Sequence, residues 1–392
     1  VKKIIMFLVL GIGLVQGVEG QAWKQYPYTP EGSLITFPAD EGRHPDESTE
    51  WWYISGHLTG KDTGTPYSFM VSYFYFPALG YDGFRILNIA RDDTGEFFSD
   101  AQGLNYTALG VDSLEIRATL MFGTTESWSY QTDTLGKVRP FDYEIFASAT
   151  EGGVELSSEA LKNPLILGDS GYFNQGSDYT YYYSFTENSI RGSIRFGEIS
   201  EEVTGTAWID KQYGDYNPAS EERYEWFCVN LSNGMDLVLW DIFTAQNQLP
   251  DHSDYRHMSV REDSATQFTT HDYQVERLSY AYMPDRAVCY SQSWRLTSQV
   301  NQMDLVITTL NSHADVQLPF RFYEGATTVT GTVRGVPVTG RGFAELLKSY
   351  QPPEVAIMYP QGGSWKDSLR IGWALLNPDA GYNLLYDLEF ST

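Results

Sequence analysis

The sequence predicts an all-β protein made of two tandem antiparallel barrels with a short appendage. Three observations point there. Composition is the first: 35 Gly, 28 Tyr and 15% aromatic residues favour strands and turns over helices. Alternation is the second. The runs LEIRATLMFG, YEIFASAT, SIRGSIRFG, DLVLWDIF and DLVITTL switch between apolar and polar residues, and turn signals such as Asn233-Gly234 separate the strands. Internal repetition is the third. Glu50-Trp51-Trp52 is matched by Glu225-Trp226-Phe227, and VTGTAWID (203–210) by VTGRGFAE (338–345), in the same order. Matched opening and closing strands read as a duplicated domain.

Taken along the chain, Lys2 and Lys3 precede an apolar run from Ile4 to Val15, and Val18-Glu19-Gly20 offers a small residue for cleavage. Residues 1–20 therefore read as a secretory signal peptide, which predicts export to the periplasm or the extracellular space. No later stretch is apolar enough to cross a membrane. The first domain is expected over 21–218 and the second over 219–348. In the strand EWWYISGHL, Trp51 and Tyr53 must share one face while Trp52 and Ile54 share the other. One tryptophan can then plug a barrel while its neighbour faces the sister domain. After Pro352-Pro353, three strand-like runs (355–359, 368–374 and 382–390) suggest an incomplete immunoglobulin- or fibronectin-like tail over 349–392.

The net charge of −25 repels nucleic acid and anionic lipid. Cys228 and Cys289 can form one disulfide in an exported chain or remain two buried thiols. The six histidines lack the spacing of common metal sites. No nucleophile elbow, phosphate loop or dinucleotide fingerprint occurs in the mature chain. Glu50 and Glu225 recur in both repeats, as do Asp210 and Glu345, and a carboxylate shared by both copies is first a structural anchor.

Three separated motifs carry a resemblance: FPADEGRHPDESTEWWYISGHL, GTAWIDKQYG and FYEGATTVTGTVRGVPVTGRGFAEL. Over residues 35–348 the chain resembles the AttH/carotenoid 1,2-hydratase group, which includes the kievitone hydratases. The resemblance implies two lipocalin-like (calycin-type) barrels and a hydrophobic ligand, isoprenoid or lipid-like. It also implies a lyase chemistry, addition of water to an alkene, that needs no metal or organic cofactor. In the hydratases the proton donor lies in an aromatic-x-Asp strand, which maps onto Trp208-Ile209-Asp210. Aromatic or His residues upstream map near Tyr181 and Tyr183, where this chain carries tyrosines, and Lys211 follows the acid.

On this reading Asp210 is the candidate acid, with Tyr181 and Tyr183 as its catalytic partners. Trp208, Tyr213, Trp51, Trp52, Tyr53 and His57 are candidate ligand-binding residues, His57 at a barrel mouth. A carboxyl buried among rings keeps its proton near neutral pH, and ring faces stabilise a cation. The alternatives are a carrier without a perturbed acid and a surface-interaction protein with filled barrels.

Overall fold

The computed structural model describes residues 22–217, 220–350, 355–359 and 368–375. Its first sheet contains β1 (Thr49–Gly60), β2 (Pro66–Ala78), β3 (Tyr81–Arg91), β4 (Glu96–Leu109), β5 (Glu115–Leu120) and β6 (Thr125–Thr132). It continues through β7 (Val138–Ser148), β8 (Gly152–Ala160), β9 (Leu165–Ile166), β10 (Tyr172–Gln175), β11 (Asp178–Phe196) and β12 (Ile199–Gly214). Neighbouring strands pair in the order β11-β12-β1 and onward to β8, and β8 pairs back onto β11, so ten strands close into a barrel. The short β9 and β10 add to β11 outside that ring.

The second sheet contains β13 (Arg223–Leu231), β14 (Asp236–Phe243), β15 (Arg256–Arg261), β16 (Gln267–Thr270) and β17 (Gln274–Tyr282). It is completed by β18 (Cys289–Ser298), β19 (Met303–Thr309), β20 (Asp315–Val316), β21 (Phe322–Val333) and β22 (Val336–Leu346). It is a half-barrel: the strand order runs from β16 to β17 and those two edges do not pair. The repeated motifs occupy matching places. In each half the Glu-Trp strand pairs antiparallel with the strand carrying the VTG motif, β1 with β12 and β13 with β22. Ala39–Glu41 forms a 3-10 turn, and among the described residues no helix is long and apolar enough to cross a membrane.

Period-two alternation explains why β1 and β14 are buried along nearly their whole length. One face lines a sheet interior and the other is covered by the second sheet. Three apolar cores result. Trp52, Ile54, Trp128, Phe141, Tyr143 and Phe185 fill the closed barrel. Phe227, Leu239, Trp294 and Leu305 fill the half-barrel. Tyr53, Met70, Tyr182, Trp208, Trp226 and Phe343 form the seam between the two sheets. The adjacent tryptophans divide as the strand geometry requires. Trp52 points into the barrel and donates Nε1–H to the Glu41 carbonyl at 2.8 Å, while Trp51 packs against Phe74 on the seam face.

Of the tail, β23 (Val355–Tyr359) pairs with β24 (Gly372–Leu375) in a separate ladder. The expected strand 382–390 and the leader 1–20 lie outside the described residues. Cys228 and Cys289 are both buried and are not joined in a disulfide.

Candidate functional site between the sheets

Asp210 lies on β12 and is 3% exposed. Its Oδ1 accepts hydrogen bonds from Ser184 Oγ at 2.5 Å and Trp208 Nε1 at 2.7 Å. Burial pushes its carboxyl up to about 7, against the opposing hydrogen bonds of Ser184, Trp208 and Tyr182. Facing it across the seam are Glu324 of β21 and Glu345 of β22, which are direct register partners. Tyr53 OH donates to Glu324 Oε1 at 2.8 Å, and Tyr224 OH donates to Glu345 Oε1. Burial, then the neighbouring Glu345, raises the Glu324 carboxyl far above the usual range, and burial also raises Glu345. Among the described residues none of the three acids forms an ion pair, and no cation is among the leading influences on them. Buried carboxyls without a counter-charge hold protons, which is what proton donation requires.

The other predicted site residues divide between two faces. Trp208, Tyr53, Trp51 and His57 share the seam with Asp210. His57 is half-buried with its ring 5.3 Å from Phe343, and burial, then Arg341, lowers its pKa to about 4. Tyr181, Tyr183, Tyr213 and Trp52 face the interior of the first barrel. The expectation that Tyr181 and Tyr183 flank Asp210 is therefore corrected. Near their hairpin β11 and β12 pair Phe196 with Ile199 and Asn188 with Ala207, but a bulge between Phe185 and Asn188 slips the register by one residue. Beyond it Ser184, not Phe185, lies opposite Asp210, and a one-residue slip exchanges the faces of every side chain that follows. Tyr182 and Ser184, absent from the sequence reading, take the places beside the acid.

Inside the barrel, the tyrosines join a different network. Glu50 is paired with Arg43 at 2.6 Å and with Lys211, and contacts His44 Nδ1 at 3.2 Å. Burial pushes the Glu50 carboxyl up, but Lys211 and His44 outweigh it and hold it at about 2. Burial lowers the Lys211 ammonium to about 8, and its Nζ lies 3.8 Å over the Trp52 ring. Tyr213 donates to Asp40 at 2.6 Å and stacks between His44 and Tyr181. In the second sheet Glu225 is neutralised in the same manner by Arg277 at 2.7 Å. The recurring Glu50 and Glu225 are thus compensated anchors, while Asp210 and Glu345 are uncompensated. Glu41, also missed, accepts from Tyr26, Tyr130 and Tyr143 at 2.7, 2.7 and 2.5 Å, and burial raises it to about 7.

A row of rings leads to the seam: Trp51, Phe74, Phe84, Phe320 and Phe322, with successive centroids 5.8, 4.3, 6.2 and 5.4 Å apart. Trp51, Phe74 and Phe84 are half-buried and Phe320 is exposed. Tyr53 and Glu324 lie two residues beyond Trp51 and Phe322 on the same strand faces. Among the described residues no three His, Cys, Asp or Glu side chains converge to hold a metal ion.

Fold and site together define a protein of two joined antiparallel sheets with carboxyl groups and aromatic rings buried between them. A sequence model of the AttH-like family matches residues 28–350, and the chain belongs to that family. It is 21% identical over 356 residues to kievitone hydratase of Fusarium solani subsp. phaseoli, covering 83% of this chain and 92% of that protein. Among solved structures it is similar to an AttH-type protein from Nitrosomonas europaea, with TM-score 0.65 and 22% identity, over 82% of this chain and 99% of that one. It is also similar to kievitone hydratase from Nectria haematococca, with TM-score 0.63 and 15% identity, over 82% and 98%. Such likenesses support the tandem lipocalin-like architecture.

Proposed function

We propose that the protein is an exported hydratase of a neutral, apolar small molecule carrying an alkene, isoprenoid or lipid-like, with Asp210 as the proton donor. The observation that carries this reading is the Asp210 environment. A carboxyl poised near neutrality lies among rings, without a counter-ion, at the end of an aromatic row. Protonation of the alkene creates a carbocation, and the faces of Trp208, Tyr53 and Trp226 offer it electron density. Ser184 and Trp208 hold the donor oxygen in place. Three uncompensated acids disfavour an anionic ligand. The likeness to a kievitone hydratase supports the reaction type, and the leader-like residues 1–20 support export.

The test is chemical. The mature chain and its Asp210→Asn variant are purified from the native host and extracted with organic solvent, and the extracts are compared by mass spectrometry. A compound bound to the variant that appears one water heavier on the wild type is the expected result. The same unaltered compound on both would overturn the hydratase reading in favour of a carrier.

A further inference from the structure

Hydration needs a base as well as an acid, because the attacking water must lose a proton. Asp210 becomes a carboxylate on giving up its proton and can serve water on its own side, but water attacking the opposite face of the cation needs a separate base. The seam contains a second titratable unit that the donor role leaves unused. Glu324 and Glu345 stand directly opposite each other on adjacent antiparallel strands and face the same way. Like charges at such positions repel; Glu324 is 1% exposed, Glu345 is half-buried, and among the described residues neither forms an ion pair. One shared proton resolves the conflict and leaves one unit of carboxylate between them. Tyr53 and Tyr224 each steady one member from outside.

A second observation points to an occupant. Asn88 of β3 is 3% exposed, yet neither its Oδ1 nor its Nδ2 has a hydrogen-bond partner. Apart from the hydrogen bond between its carboxyl and that of Glu345, Glu324 Oε2 receives none from a described donor. Both residues line one crevice of about 10 Å³ between the sheets, with Met70, Ala326 and Phe343 as its apolar walls. That volume suits a single water molecule. Leaving a buried amide unpaired is costly, a cost that a small polar guest removes.

We infer that Glu324, paired with Glu345, is the base that takes the proton from the attacking water, and that Asn88 holds that water in the crevice. This rests on the hydratase reading. Asp210 gives its proton to one alkene carbon, and a C–H bond forms. The water oxygen attacks the resulting cation, a C–O bond forms, and one water O–H bond breaks. Its proton passes to the Glu324–Glu345 carboxylate. Proton return from this pair to the Asp210 carboxylate, with which it is electrostatically coupled, restores the starting state.

The experiment uses the full chain with kievitone and, separately, farnesol in D2O, followed by mass spectrometry. Without a base beside the attacking water, return of a proton from the cation to Asp210 outruns capture by water. Glu324→Gln should therefore hydrate about 100-fold more slowly while the recovered alkene gains deuterium. Asn88→Ala should behave likewise, whereas Asp210→Asn should lose both hydration and exchange. Infrared spectra at about pH 9, above the ordinary carboxyl range, should show a protonated carboxyl in the wild type and Asp210→Asn but not in Glu324→Gln. Hydration by Glu324→Gln at the wild-type rate, or a carboxyl band that survives in it, would overturn the assignment. A folded Glu324→Gln that loses deuterium exchange along with hydration would overturn it too. If the wild type neither hydrates nor exchanges either probe, the hydratase reading falls first and takes this one with it.

Discussion

Asp210→Asn should make the protein more stable at alkaline pH while removing its activity. In the folded chain the carboxyl sits at about 7, against an ordinary value of 3.8. Because the folded value is the higher one, the protonated carboxyl favours folding fully below about pH 4, and that contribution is lost as pH rises through about 7. At 1.36 kcal/mol per pH unit, the interval corresponds to about 4 kcal/mol held against the native state at about pH 9. Asparagine carries no charge, and its Oδ1 can still accept from Ser184 and Trp208. Its second amide hydrogen needs a new acceptor, which costs about 1 kcal/mol at any pH. The variant should therefore be about 1 kcal/mol less stable than wild type at about pH 4 and about 3 kcal/mol more stable at about pH 9. Urea unfolding of both proteins by tryptophan fluorescence measures the difference as a shift in midpoint at constant slope. Subtracting wild type from variant removes titrations common to both, such as that of Glu41. A difference independent of pH would refute the argument, since it would mean that burial does not penalise the charged carboxyl. The same titration predicts that hydration by the wild type declines as pH rises through about 7.

Three further outcomes follow from the geometry. Glu50→Gln strands Lys211 and Arg43 in the barrel interior and should cost about 3–5 kcal/mol in urea unfolding, with part recovered in Glu50→Gln/Lys211→Met because the stranded ammonium is gone. Glu41→Gln leaves three tyrosine hydroxyls with one fewer acceptor oxygen. It should loosen residues 22–48 by about 1–3 kcal/mol, read as faster hydrogen exchange of that segment. Cys228 and Cys289 should react with a thiol reagent only after denaturation, and both should then react without prior reduction; a disulfide-linked peptide would contradict this.

Much of the architecture was legible because strand periodicity is local. The opposite facing of Trp51 and Trp52 follows from alternation alone. Glu324 was within reach as well. Arg334-Gly335 is a two-residue turn with positive φ at both positions, and counting back from it in step places Glu324 opposite Glu345. The partners of Asp210 were not legible, because counting from the β11–β12 hairpin crosses a bulge that no residue type announces. The gathering of Tyr26, Tyr130 and Tyr143 on Glu41 was equally hidden, since it depends on closure of the barrel between residues up to 102 positions apart. The unpaired edges belong to β16, only four residues long, and β17, whose residues are exposed or half-exposed, and sequence patterns do not specify their pairing.

Fusion of the two sheets in one chain has a consequence for the acids they enclose. Two identical subunits meeting across a twofold axis must present the same residue from each side. Any adjustment to a proton donor would then be imposed on its counterpart as well. A single chain is free of that obligation. At corresponding places on its closing strands it keeps Asp210, fixed by Ser184 and Trp208, and Glu345, fixed by Tyr224 and opposed by Glu324. The covalent link permits the two halves of the seam to hold their protons with different tenacity. A site that gives a proton on one side and takes one on the other requires that inequality.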